Sequence, residues 1–449
     1  MKTDTIYALA SGPGRAGVAV IRISGPQAAG ALDRLAGISK PVPRRAVKAQ
    51  FTDPASREVL DDGLALWFEG PASFTGEDVA ELHIHGGPAV VSAMLEALGR
   101  CKDLRLAEPG EFTRRAFENS KMDLTQAEGL ADLVSAQTSA QRRQALSQMQ
   151  GRLGRLYESW RTRLVGALAH MEAAIDFSDE SLPGEIIETV RADVGDLSSE
   201  MAAHLEDGHC GERLREGVYV AIIGPPNVGK SSLLNRLARR DAAIVSAEAG
   251  TTRDVIEVHM DLGGYPAVLA DTAGLGEDGG GKLGEVEKEG RNRARNRARD
   301  SDLKLALFTS ESGVPEAMNA LVDDDTIVAL NKIDLGAGPE PLVVNGRRAL
   351  EISVKSGQGM EALIAALEVE TARRCPDLGS PHLTRHRHRL ALEECLSSME
   401  RFLGVLGEDT CELAAEDLRL AVRALGRITG RVDVEDILDV VFRDFCIGK

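Results

Sequence analysis

From Gly224 the chain reads Gly-Pro-Pro-Asn-Val-Gly-Lys-Ser, ending at Ser231. Two glycines, a lysine and a hydroxyl at the spacing G-x-x-x-x-G-K-[ST] are suited to holding phosphate. Gly224 and Gly229 allow backbone angles that turn successive N–H groups toward phosphate oxygens. Lys230 brings a cation to the β- and γ-phosphates, and Ser231 offers its hydroxyl to Mg²⁺. Asn227, Val228 and Ser232 complete the stretch facing the nucleotide. Asp271-Thr272-Ala273-Gly274 supplies a carboxylate for the magnesium shell and a glycine N–H for the γ-phosphate. In Asn331-Lys332-Ile333-Asp334 the last carboxylate accepts from both N1–H and the exocyclic amine of guanine, donors that adenine lacks. GTP is therefore the expected nucleotide. Ser353-Val354-Lys355 falls where small GTPases buttress the base. Gly250-Thr251-Thr252-Arg253-Asp254 falls where switch I supplies a threonine, so Thr252 joins Ser231 as a magnesium ligand.

These residues need a sheet with loops at its strand ends. The apolar runs 218–223, 267–270, 326–330 and 349–352 read as buried strands, and 231–237 as the helix whose positive end faces the phosphates. Ahead of them, residues 1–118 read as a separate mixed α/β domain. Its strands are 5–9, 18–23, 63–68 and 79–84, and its helices 28–35 and 88–98. His83 and His85 share a strand face, but no third ligand is spaced to join them at a metal. Apolar residues recur every three or four positions from Leu146 to Met171 and again from Ile187 to Leu205. That pattern returns only over 390–406, 413–425 and 434–445. The fold class is therefore multidomain: an N-terminal α/β domain, a helical bundle (119–215 and 375–449) and a Ras-like P-loop domain (216–374) inserted into it, joined through segments 208–217 and 374–381.

The chain has 449 residues, 43% of them hydrophobic, enough for two or three cores. Its net charge of −17 and 4% aromatic content argue against a broad nucleic-acid surface. Two basic runs stand out, Arg291 to Arg299 and Arg385 to Arg389. The first is expected to be a solvated helix. Six cysteines without a C-x-x-C pair suggest reduced, mostly buried thiols. With no long apolar segment and no basic-then-apolar leader, the expected compartment is the cytoplasm, with no membrane.

Several stretches resemble one family in the same order along the whole chain. They are Asp4-Thr5-Ile6 through Val20-Ile21-Arg22-Ile23-Ser24-Gly25, Phe74-Thr75-Gly76-Glu77-Asp78 with His85-Gly86-Gly87-Pro88, Pro109-Gly110-Glu111-Phe112 through Gln126-Ala127-Glu128, Gly426-Arg427-Ile428-Thr429-Gly430, and the closing Phe445-Cys446-Ile447-Gly448-Lys449. The family is the tRNA modification GTPase MnmE (TrmE). The resemblance implies a homodimer that joins the FAD- and NADH-using enzyme MnmG in a heterotetramer. It also implies addition of a carboxymethylaminomethyl or aminomethyl group to C5 of the wobble uridine of certain tRNAs. A 5-formyltetrahydrofolate-type folate is implied at Arg22, Glu81, Lys121 and Lys449. These residues suit that ligand, since a carboxylate accepts from the donor edge of a pterin and cations answer the glutamyl tail. Cys446 reads as a packing or positioning residue.

The resemblance also implies a potassium site. The side-chain oxygen of Asn227 and backbone oxygens from Ser246, Ala247, Glu248, Ala249, Gly250 and Thr251 form a set of hard neutral ligands suited to a monovalent cation. In the family, potassium and GTP bring two G domains together and activate hydrolysis. Ser246, Glu248 and Thr251 join Asn227 as the expected ligands, Glu248 through its carbonyl. After Gly274 the chain departs from the family, with a switch II about four residues longer and rich in glycine. Its Val286-Glu287-Lys288-Glu289-Gly290 places the catalytic glutamate at Glu287, with Glu285 and Glu289 as competitors. The rival reading is a regulatory GTPase of ribosome assembly. An RNA-binding module such as KH would need a G-x-x-G loop in a basic domain, and the flanks here are acidic to neutral.

Overall fold

The computed structural model describes residues 4–176, 184–206, 209–240, 243–244, 257–271, 299–336, 341–375, 381–405, 410–432, 435–443, 445 and 447–448. The chain divides into two compact units, Met1–Ala131 with Met149–Arg161 and Arg423–Lys449, and Asp132–Gln148 with Thr162–Val422. Among the described residues no helix is long and apolar enough to cross a membrane.

The first unit begins with β1 (Thr5–Leu9), β2 (Ala16–Ser24), α1 (Ala28–Ala36), β3 (Val47–Thr52), β4 (Val59–Phe68), β5 (Val79–Gly86), α2 (Pro88–Gly99), β6 (Leu104–Leu106) and α3 (Glu111–Glu118). Among the described residues the strands form a six-stranded sheet in the order β3-β4-β5-β2-β1-β6, antiparallel except for the parallel pair β1 and β6. Period-2 alternation sends Ala19, Ile21 and Ile23 of β2 into a core with Phe51, Trp67, Leu82 and Ile84. Helix α1 covers that core with Ala28, Ala31, Leu32 and Leu35, a spacing that keeps them on one helical face. It ends at Gly37, whose left-handed φ of 66° lets its N–H reach the Asp33 carbonyl. The same alternation turns Arg22 and Glu81 to the opposite face.

The helices that follow are α4 (Leu124–Ser135), α5 (Ser139–Met149), α6 (Arg152–Asp176), α7 (Gly184–Leu205) and α8 (Cys210–Glu216). The unbroken apolar stripe from Leu146 is divided at Gly151, which adopts φ 79° between α5 and α6. The connecting segment expected over 208–217 contains α8. The second unit's sheet then runs through β7 (Val218–Ile223), α9 (Lys230–Ala238), β8 (Ala243–Ile244), β9 (Glu257–Leu262), β10 (Tyr265–Asp271), β11 (Leu303–Thr309), α10 (Glu316–Asn319), β12 (Thr326–Asn331), β13 (Val343–Val344), β14 (Arg347–Arg348), β15 (Leu350–Glu351) and α11 (Met360–Arg373). Among the described residues its order is β15-β12-β11-β7-β10-β9-β8, parallel from β15 to β10 with antiparallel β9 and β8 at the edge. Every residue of β11 is buried, as a central parallel strand covered on both faces must be. Leu233, Leu237, Leu363 and Leu367 cover one face, and Met318 and Val322 the other.

Helices α12 (His386–Val405) and α13 (Cys411–Thr429) follow the sheet. Val190, Val194, Leu197 and Met201 of α7 are buried, and Met201 lies 3.9 Å from Cys395 of α12, sulfur to sulfur. The second basic run is absorbed inside this unit: Arg385 pairs with Asp132 at 2.8 Å and Arg389 with Glu212 at 3.3 Å. Cys375, just past α11, places its sulfur 3.9 Å from the Cys210 carbonyl. The first basic run lies outside the described residues up to position 298.

The chain ends in the first unit with α14 (Glu435–Arg443), where Leu438, Phe442 and Phe445 pack against Leu124 and Ala127. Gly110, at φ 67°, lies beneath them, and a Cβ there would sit 2.7 Å from the Phe442 carbonyl.

Candidate functional site

In the second unit, β7 delivers the phosphate loop and α9 begins within it at Lys230, so the first free N–H groups of that helix face the loop. Asn227 takes a left-handed φ of 62° and Gly229 one of 101°, a conformation that turns backbone donors inward. The Lys230 ammonium donates to the Gly224 and Pro225 carbonyls at 2.9 and 3.0 Å. Burial lowers its pKa, with Asp271 opposing.

Ser231 donates its hydroxyl to Asp271 Oδ2 at 2.6 Å. The other oxygen of Asp271, Oδ1, is buried without a hydrogen-bond partner among the described residues. A hydroxyl and a carboxylate with one unsatisfied oxygen, beside a phosphate loop, fit a small hard cation such as Mg²⁺.

At the other end of the cleft, Asn331 Nδ2 donates to the Val228 carbonyl at 2.8 Å and its Oδ1 accepts from the Val354 N–H at 3.0 Å. One side chain thus ties the phosphate loop to the Ser353-Val354-Lys355 loop. Asp334 accepts from the Ser353 hydroxyl at 2.6 Å. Lys332 holds φ 65°. The cleft has a volume of about 880 Å³, and its walls include Gly229, Ser232, Asn331, Lys332, Asp334 and Lys355.

The sequence reading missed Arg236, which donates to the Val354 carbonyl at 2.6 Å and the Lys355 carbonyl at 3.2 Å. Its only sequence signal was its place on the helix that follows the phosphate loop. Ser246, Ala247, Glu248, Ala249, Gly250, Thr251, Thr252, Thr272, Ala273, Gly274 and Glu287 lie outside the described residues.

In the first unit, Arg22 and Glu81 are directly opposed across β2 and β5, Nε to Oε1 at 3.0 Å. The Arg22 guanidinium lies over the rings of Phe74 and Phe112, 5.2 and 5.8 Å from their centroids. His83 Nε2 stands 3.5 Å from the second oxygen of Glu81, and His85 Nδ1 stands 2.8 Å from Asp61. Lys121 donates to the Pro71 carbonyl at 2.8 Å, its stem against Gly76. An ionic network anchors the loop that carries Phe74. Arg115, 4% exposed, bonds Glu77, Glu111 and Asp4, and Arg105 bonds Glu111 and Asp4.

The end of the chain comes to the same region. Ile447 bridges Pro109 in an antiparallel pair, and Gly448, at φ 100°, sits directly against the Leu9 carbonyl. Leu9 follows Ala8, the β1 residue paired with Arg22. Cys446 and Lys449 lie outside the described residues.

A nucleoside triphosphate whose base presents two donors suits both ends of the cleft, and the seven-stranded sheet that carries it is the P-loop GTPase part of the second unit. The family model described as "GTP-binding protein TrmE N-terminus" matches residues 5–121, and that described as "MnmE helical domain" matches 124–446. The tRNA modification GTPase MnmE of Parvibaculum lavamentivorans is 56% identical over 449 residues, covering 99% of this chain and 100% of its own. That of Paramagnetospirillum magneticum is 55% identical over 449 residues, covering 100% of each. The mitochondrial 5-taurinomethyluridine-[tRNA] synthase subunit GTPB3 of Danio rerio is 48% identical over 472 positions, covering 99% of this chain and 93% of its own. The chain belongs to the MnmE (TrmE) family of tRNA modification GTPases.

Proposed function

We propose that this chain hydrolyses GTP to drive modification of C5 of the wobble uridine in tRNA, working as a homodimer with an FAD-using MnmG-type partner. The observation that carries the reading is the pair of hydrogen bonds of Asn331, which ties the phosphate loop at Val228 to the Ser353-Val354-Lys355 loop whose Ser353 holds Asp334, all within one cleft. Lys230 neutralises phosphate charge, and Ser231 and Asp271 hold magnesium, with Thr252 from switch I. The magnesium supplies positive charge to the developing leaving group. Potassium is assigned to Asn227, Ser246, Glu248 and Thr251, and Glu287 orients the attacking water. The left-handed turn at Asn227 supports the first of these, because it keeps that residue within the phosphate loop.

Folate is assigned to Arg22, Glu81, Lys121 and Lys449. Support comes from the partly exposed Arg22–Glu81 pair beside Phe74 and Phe112 and from the position of Gly448 against Leu9. Domain limits of 1–118, 119–215 with 375–449, and 216–374 fit this division of labour. Mass analysis of wobble uridines from cells lacking the chain tests the whole. Loss of the C5 substituent is expected, and an unchanged nucleoside profile sinks the reading.

A further inference from the structure

We infer that Arg44 forms a second carboxylate-receiving subsite beside Lys121, one that selects folates carrying an extended γ-glutamyl chain. The inference rests on the folate reading above and adds a residue that reading does not use.

Arg44 stacks its guanidinium on the ring of Phe68, 5.9 Å from the centroid, and donates to the Ala72 carbonyl at 2.7 Å. Lys121 donates to the preceding carbonyl, that of Pro71. Two cations therefore sit on successive peptide groups of the loop that carries Phe74. Register places Arg44 on the side of the sheet that carries Arg22 and Glu81. Leu66 pairs with Glu81, which pairs with Arg22, and Phe68 lies two residues beyond Leu66 on the same face. Arg44 thus stands over the face that presents the Arg22–Glu81 pair, roughly 7 Å along the strand from it at about 3.4 Å per residue.

Among the described residues the polar contacts of these two cations are the loop carbonyls alone, with no carboxylate partner. This occurs in a chain with 70 acidic residues against 53 basic ones. A neutral carbonyl uses one donor of a guanidinium and leaves its forked edge available to an anion. Arg44 also holds a left-handed φ of 60°, where its N–H bonds the Trp67 carbonyl. Such strain at a side-chain-bearing residue persists where the surroundings impose it, and it collects at ligand clamps. Each added γ-glutamyl unit carries one more carboxylate, so a chain leaving the Lys121 position meets Arg44 next.

The test is equilibrium binding of 5-formyltetrahydrofolate bearing one or four glutamyl units to the full-length protein, at low and high salt. The wild type should prefer the longer chain by about fivefold at low salt, and the preference should fade at high salt, as an exposed ion pair requires. Arg44→Ala should bind the monoglutamate within about twofold of wild type and lose the preference, while Arg44→Lys should keep part of it. A preference unchanged in Arg44→Ala, or absent from a wild type that binds the monoglutamate, overturns the subsite and leaves the folate reading standing. A wild type that binds neither ligand overturns both.

Discussion

Ser353 donates its hydroxyl to Asp334 Oδ1 at 2.6 Å, fixing the carboxylate to which we assign the reading of the base. In Asp334→Asn the amide turns a donor toward the donors of guanine. GTP should weaken by about 100-fold, the scale of a buried unpaired donor at 2 to 3 kcal/mol. Xanthosine nucleotides, which present an acceptor there, should bind better. Ser353→Ala should cost GTP binding only about 1 kcal/mol. Equal GTP affinity in Asp334→Asn would remove the guanine assignment.

Glu111 lies between Arg105 and Arg115, 4% exposed. Burial raises its pKa, but bonds from Arg105, the Glu108 N–H and Arg115 outweigh burial, and the carboxyl is held below its ordinary 4.5. A depressed carboxylate contributes stability that is fully present above its unfolded pKa and is lost as pH falls through the folded value. The first unit should therefore lose this contribution below about pH 4.5. In Glu111→Gln the buried Arg115 and the half-buried Arg105 each lose one of their carboxylate partners, Arg115 keeping Asp4 and Glu77 and Arg105 keeping Asp4. Unfolding in urea at neutral pH should be about 1 to 3 kcal/mol easier, with a shallower acid limb. An acid limb identical to wild type would show that the pair contributes nothing.

Gly448 is packed where a side chain has no room, and its φ of 100° suits only glycine. Deleting residues 446–449 should abolish tRNA modification while GTP binding stays within about twofold, the scatter expected of a site that loses no contact. Gly448→Ala should give a partial version of the same loss. Normal modification by the truncated protein would place the folate chemistry elsewhere.

For hydrolysis, the comparison is GTP turnover and G-domain association in potassium and in sodium. Asn227→Ala should lose the stimulation by potassium. Glu287→Ala should associate normally and turn over about 10² to 10³-fold more slowly, the scale of a lost water-positioning group. Equal rates in the two salts would dismiss the cation mechanism, and a fully active Glu287→Ala would move the role to Glu285 or Glu289.

Much of the nucleotide site was legible, because each chemical step needs a particular residue type beside a buried strand. What escaped notice depends on tertiary contact. β3 alternates over Val47-Lys48-Ala49-Gln50-Phe51 but is only six residues long, and it is fixed by pairing with β4. β4 starts at Val59, not Gly63, although Asp61 and Asp62 disfavour strand. Asp61 is stabilised there by accepting from the His85 backbone N–H at 2.7 Å. Arg236 and Arg44 carried no spacing signal, since each acts on backbone carbonyls distant in sequence. The ionic network of Arg105 and Arg115 was equally silent, because Asp4, Glu77 and Glu111 meet only when the sheet closes.

The contact of Cys375 with the Cys210 carbonyl means that the GTPase segment leaves the helices and rejoins them at nearly one point. A segment with adjoining ends can be acquired, lost or exchanged in one recombination event without rethreading its host. The helices are therefore a chassis in principle separable from its motor. Transplanting a different nucleotide-driven module into the same seam is a matter of matching two neighbouring chain ends.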